Sequence, residues 1–145
     1  MSRKLKRIYL KLLVPPMLVF IVVFLGKYYH HILIGPLPYF RVISTGIFIL
    51  SVTFAVALPI FFRTFFAHKH RQRTSLTEGE LIRFESRFLH IAMVTPYLAV
   101  LAYLLDIPRF HSAGTFLMTL YAVYYYYPSV KRIQFEKRIF RVKPE

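Results

Sequence analysis

Residues 63–87, RTFFAHKHRQRTSLTEGELIRFESR, form the one long polar run in a chain that is otherwise mostly lipid-soluble. The run carries Arg63, Lys69, Arg71, Arg73, Arg83 and Arg87. On both sides lie apolar blocks long enough to enter a bilayer. It therefore divides the sequence into two hydrophobic hairpins joined by a basic connector. Within it, Thr77 precedes Glu80 by three residues, the spacing of a capping box, and Leu76 and Leu81 stand where a hydrophobic staple would form. Glu78 and Glu80 suit the positive end of a helix dipole. A helix is predicted to begin at Glu78, with Leu81, Phe84 and Phe88 along one stripe, and to continue from an amphipathic extension into a membrane span.

Working outward, four spans are expected, at about residues 8–26, 42–62, 88–105 and 110–127, with the connector at 63–87 and a basic tail at 128–145. The first is nineteen residues, roughly 28 Å at helical rise, which matches a bilayer core. Pro15 and Pro16 remove two backbone donors early in it and predict a bend. No small-x-small cleavage site follows the run, so an uncleaved first span is expected. The loop after it contains Gly35-Pro36-Leu37-Pro38, which stops a helix. Ser51 and Ala55 in the second span, and Thr115, Thr119 and Ala122 in the fourth, give small-residue faces for close helix contact. Tyr124 to Tyr127 read as an interfacial aromatic belt. The tail interleaves Ile133, Phe135, Ile139 and Phe140 with cations and is expected against the membrane surface.

Composition agrees with insertion. The chain of 145 residues is 57% apolar, and its apolar residues come in blocks rather than at amphipathic spacing. Its net charge is +14. The cations sit beside the apolar blocks, where anionic lipid headgroups are simpler partners than nucleic acid; the connector cations are expected to meet those headgroups or, on a sharper reading, to dock an acidic cytoplasmic partner. No cysteine is present, which excludes disulfides, thiolate chemistry and Cys-ligated metal. P-loop, HExxH, GxSxG and dinucleotide-binding motifs are missing, and no ionisable residue lies near the middle of a predicted span.

The six histidines are the main chemical lead. In a four-span layout His30, His31 and His111 fall in one layer and His68, His70 and His90 in another. Two imidazole layers are what a membrane cytochrome with b-type haems requires, with His31, His111, His90 and His70 as candidate ligands. The plainer reading is interfacial histidines with no ligand. The expected fold is thus an all-α membrane protein: a single domain of four transmembrane helices in two hairpins. The expected role is a structural or accessory subunit that associates with other integral membrane subunits or with itself, without catalytic activity of its own. A haem- or quinone-binding redox subunit is the alternative.

Lys and Arg number five in residues 1–11, six in the connector and six in the tail, against Lys27, Arg41 and Arg109 in the remaining segments. With four spans, the first three segments share one side of the membrane. The positive-inside rule then puts both termini in the cytoplasm, with a bacterial inner membrane as the expected location. Reporter fusions at Gly35 and Ile107 are expected to read outside, and fusions at Arg73 and the C-terminus inside. A C-terminus accessible from outside intact cells would contradict this topology.

Overall fold

Prolines within helices and helix C-termini leave backbone carbonyls without their donors, and several such carbonyls in this chain are points where one helix is tied to another. The computed structural model describes residues 2–30, 39–69, 77–140 and 142. Gly35 to Pro38 and Leu76 lie outside them, and with them the loop turn and the staple. Among the described residues the regular structure is helical. Helix α1 spans Ser2–His30, α2 Phe40–Lys69 and α3 Glu78–Leu104. Helix α4 spans Arg109–Tyr125 and α5 Val130–Ile139. Three of these, α1 to α3, are long and apolar enough to cross a membrane. Helix α4, with 17 residues, is shorter, roughly 25 Å at helical rise.

Several sequence expectations meet the structure directly. Thr77 caps α3: its hydroxyl accepts from Glu80 N–H at 3.4 Å, and Glu80 Oε2 accepts from Thr77 N–H at 3.2 Å. Such a cap contributes about 1 kcal/mol. The amphipathic extension is helical from Glu78, and α3 is interrupted once, at Met93, three residues ahead of Pro96. Helix α1 instead passes through Pro15 and Pro16 without a break in its helical run and extends beyond the expected span at both ends.

Helix α2 contains a π-turn at Thr53–Ala57, where Leu58 N–H bonds to Thr53 O, five residues back. Pro59 follows, and it has no N–H to offer the carbonyl four residues behind it, at Ala55. Tyr126 O–H donates to that carbonyl at 2.6 Å from outside the helix. Tyr126 is 1% exposed, while its neighbours Tyr124, Tyr125 and Tyr127 stay open at the surface. One residue of the expected aromatic belt is therefore a core residue. The same solution recurs in α1: Pro16 leaves Leu12 O without its donor, and Tyr97 O–H donates to it at 3.2 Å.

Two ends of the bundle are stitched separately. At one end, Leu5 and Tyr9 of α1 pack with Phe88 and Leu89 of α3, with Tyr126 just past α4, and with Ile133 of α5. Tyr9 O–H donates to Val123 O in the last turn of α4 at 2.8 Å. At the other end Lys27 forms an ion pair with Asp106 at 2.5 Å and donates to Tyr103 O at 2.6 Å. Phe20 meets the rings of Tyr103 and Phe116. Between the ends, the small-residue faces are used inside the chain, since Ser51, Ala55, Thr115 and Ala122 are all fully buried. A Cβ at Gly114 of α4 would collide with the Phe48 ring of α2, so this glycine permits the close approach of the two helices.

Candidate functional site

The cations of the connector region separate into two groups once the acidic residues are placed. Glu85 and Glu136 are 5% and 4% exposed, and buried carboxylates require partners. Arg63 of α2 pairs with Glu136 of α5 at 3.1 Å. Arg132 of α5 pairs with Glu85 of α3 at 3.5 Å. Arg132 also donates to Tyr125 O at 3.0 Å, which satisfies a terminal carbonyl of α4, and lies over the rings of Phe88 and Tyr126 at 5.7 and 5.6 Å. Lys137 reaches Glu78 Oε1 at 2.9 Å. These pairs, with buried Ile133 and Phe140, dock the tail helix on the bundle. Only its opposite face, with Phe135 and Ile139, is left exposed. Ile133, Glu136 and Phe140 fall at i, i+3 and i+7, the spacing of one helix stripe.

Arg63, one of the expected headgroup cations, is thus engaged within the chain. Lys69, Arg83 and Arg87 behave differently. All three are exposed, and among the described residues none of them forms an ion pair. They border a groove of about 830 Å³ between the last turns of α2 and the first turns of α3. Its apolar wall includes Phe62, Phe65, Phe66, Phe84 and Phe88. The Phe66 and Phe84 rings stack at 4.0 Å and are backed by Phe140, so the wall is continuous with the packed interior. Arg71 and Arg73 lie outside the described residues.

Of the candidate haem ligands, His111 and His90 lie at opposite ends of the bundle, one in each expected layer, and the histidines that would pair with them lie outside the described residues. His90 borders the groove, with Nδ1 2.7 Å from Ser86 O. His111 stands beside Phe48, with Nε2 3.4 Å from Thr45 Oγ1. Thr45 and Phe65, which mark these two positions on α2, are 20 residues apart, about 30 Å along a helix. His31 and His70 lie outside the described residues. Among the described residues no three metal-ligating side chains form a group.

Comparisons with protein-family models, with curated proteins and with solved structures find no match. The residues that reasoning from sequence missed are Glu85, Glu136 and Arg132. The available signal was the placing of the two carboxylates: a chain with six acidic side chains sets Glu136 in the middle of its basic tail and Glu85 in the turn just before Phe88.

Arg132→Gln leaves Glu85 buried without its cation and is expected to lower unfolding stability in mild detergent by roughly 3 kcal/mol. Combining it with Glu85→Gln removes the stranded charge, so the double variant should be more stable than Arg132→Gln alone. A double variant as unstable as the single one would show that Arg132 acts through its rings and carbonyl contact rather than through Glu85.

Proposed function

We propose that this chain is an integral membrane protein of four spans, with both termini in the cytoplasm of a bacterium, serving as a structural or accessory subunit of a larger inner-membrane assembly. The observation that carries this reading is the openness of α1. Only 11% of its most apolar 18-residue stretch is buried within the chain, against 44% for α3. Val14, Leu18, Val22 and Leu25 leave large apolar surfaces along its length. A helix seated on its own bundle by so thin a seam has most of its surface available to lipid and to a neighbouring membrane helix. Van der Waals packing is what such neighbours gain from each other in a bilayer.

The fourth span in this reading is α4. Its 17 residues are short for a bilayer core, a mismatch that association with longer helices relieves. The layout of two hairpins agrees with the clustering of Leu5 and Tyr9 of α1, Phe88 and Leu89 where the third span is expected to begin, and Ala122 and Tyr126 at the end of α4. The cytoplasmic assignment rests on the Lys and Arg of residues 1–11, the connector and the tail, against three in the remaining segments. The connector cations then face anionic headgroups.

Gentle-detergent extraction followed by native mass measurement tests the subunit reading. The expected species is heavier than one chain, through partner proteins or further copies. A well-behaved species at the 17.2 kDa mass of a single chain, with no co-purifying protein, would count against it.

A further inference from the structure

We propose that the groove between the end of α2 and the start of α3 is a binding site for one anionic phospholipid, with its phosphate among Lys69, Arg83 and Arg87 and an acyl chain against Phe62 and Phe88. The inference rests on the membrane reading above and adds a discrete ligand site to it. The volume, about 830 Å³, falls within the usual range for ligand clefts.

Charge and apolarity are ordered along the groove as they are across one leaflet. On α2, Lys69 lies seven residues beyond Phe62, about 10 Å along the helix. On α3, Arg83 lies eight residues before Ile91, about 12 Å. On α2 the cation is at the connector end and the apolar side chain toward the span; on α3 Arg83 and Arg87 likewise precede Phe88 and Ile91, with Phe84 between the two arginines. Arg83 and Arg87 are one turn apart on α3, so their guanidinium groups can address one phosphate together. Glu80 also borders the groove, but its carboxylate accepts from the Thr77 N–H at the helix cap. Three cations against one capped carboxylate leave the rim positive.

The chemistry favours a lipid over an acidic protein segment. Phe62 and Phe65 are 39% and 56% exposed in the groove wall, at the depth where acyl chains begin, and a charged peptide would leave them uncovered. Arg63, which could have widened the positive rim, is held by Glu136 instead. That pairing leaves Lys69, Arg83 and Arg87 as the open cations of the connector region among the described residues, and all three border the groove.

Native mass spectrometry of the whole detergent-solubilised chain, mixed with phosphatidylglycerol or phosphatidylcholine of identical acyl chains, tests the proposal. One phosphatidylglycerol should be retained in preference to phosphatidylcholine. Arg83→Gln with Arg87→Gln should weaken that retention on the order of thirtyfold, while Arg3→Gln with Arg7→Gln, the same charge change on exposed α1 positions, should leave it unchanged. Both pairs are exposed, and unchanged helical circular dichroism confirms that the variants fold. Equal retention of the two lipids, or equal losses in the two variant pairs, would overturn the proposal. Displacement by millimolar glycerol phosphate would reassign the site to free phosphate, and displacement by a polyglutamate peptide would reassign it to an acidic protein. The reading of the chain as a subunit stands or falls separately, because the lipid count is made whatever the number of protein chains in the particle.

Discussion

A backbone carbonyl without a donor is costly in an apolar surrounding, and Pro59 creates one at Ala55 in the middle of α2. No water is at hand to satisfy it within a bilayer. The answer in this fold is a hydroxyl from a different helix, Tyr126 at 2.6 Å. Placing that hydroxyl fixes the register between α2 and the end of α4. The small side chains that let the helices approach, Ala55 and Ala122 among them, are buried in the same cluster. Several other carbonyls take a side-chain donor from another element in the same way. Leu12 O, stripped by Pro16, takes Tyr97, and Val123 O in the last turn of α4 takes Tyr9. Tyr103 O takes Lys27, and Tyr125 O takes Arg132. Side-chain hydroxyls with no such duty bond to their own helix, as Ser44, Ser51 and Thr53 do.

The connector end obeys a related constraint in charge. A strongly basic chain would repel itself wherever its positive segments converge, and three of them converge here. Glu85, Glu136 and Glu78 each take one cation from a different element, and the tail helix is held by that exchange. Of the connector cations among the described residues, Lys69, Arg83 and Arg87 remain exposed, and they border the phenylalanine-walled groove. Structural and surface roles are thus divided among residues that are chemically alike, and burial decides which is which.

The sequence carried the helices better than their contacts. Local patterns were legible: the Thr77–Glu80 cap, the amphipathic turns from Glu78 and the approximate limits of the long apolar helices all depend on residues near one another. The groove was legible only as a list of cations, since its phenylalanines come from two helices, one ending at Lys69 and the other beginning at Glu78. Arg63 could not be told from Arg83 by sequence, because the difference is a carboxylate 73 positions away, at Glu136. Tyr126 looked like its three tyrosine neighbours. It is singled out by the direction it faces and by a proline on another helix, and neither is a local property.

The central claim is that cross-helix hydroxyls replace the backbone donors that Pro16 and Pro59 remove. A double-mutant cycle on Tyr126 and Pro59, followed by unfolding in mild detergent, tests it most directly. Tyr126→Phe alone should cost roughly 1–3 kcal/mol, the penalty of an unsatisfied buried carbonyl. In a Pro59→Ala background residue 59 regains an N–H that can reach Ala55 O, so the same Tyr126→Phe change should cost clearly less. Equal costs in the two backgrounds would contradict the account, because they would mean that Tyr126 stabilises the bundle without answering the carbonyl that Pro59 exposes.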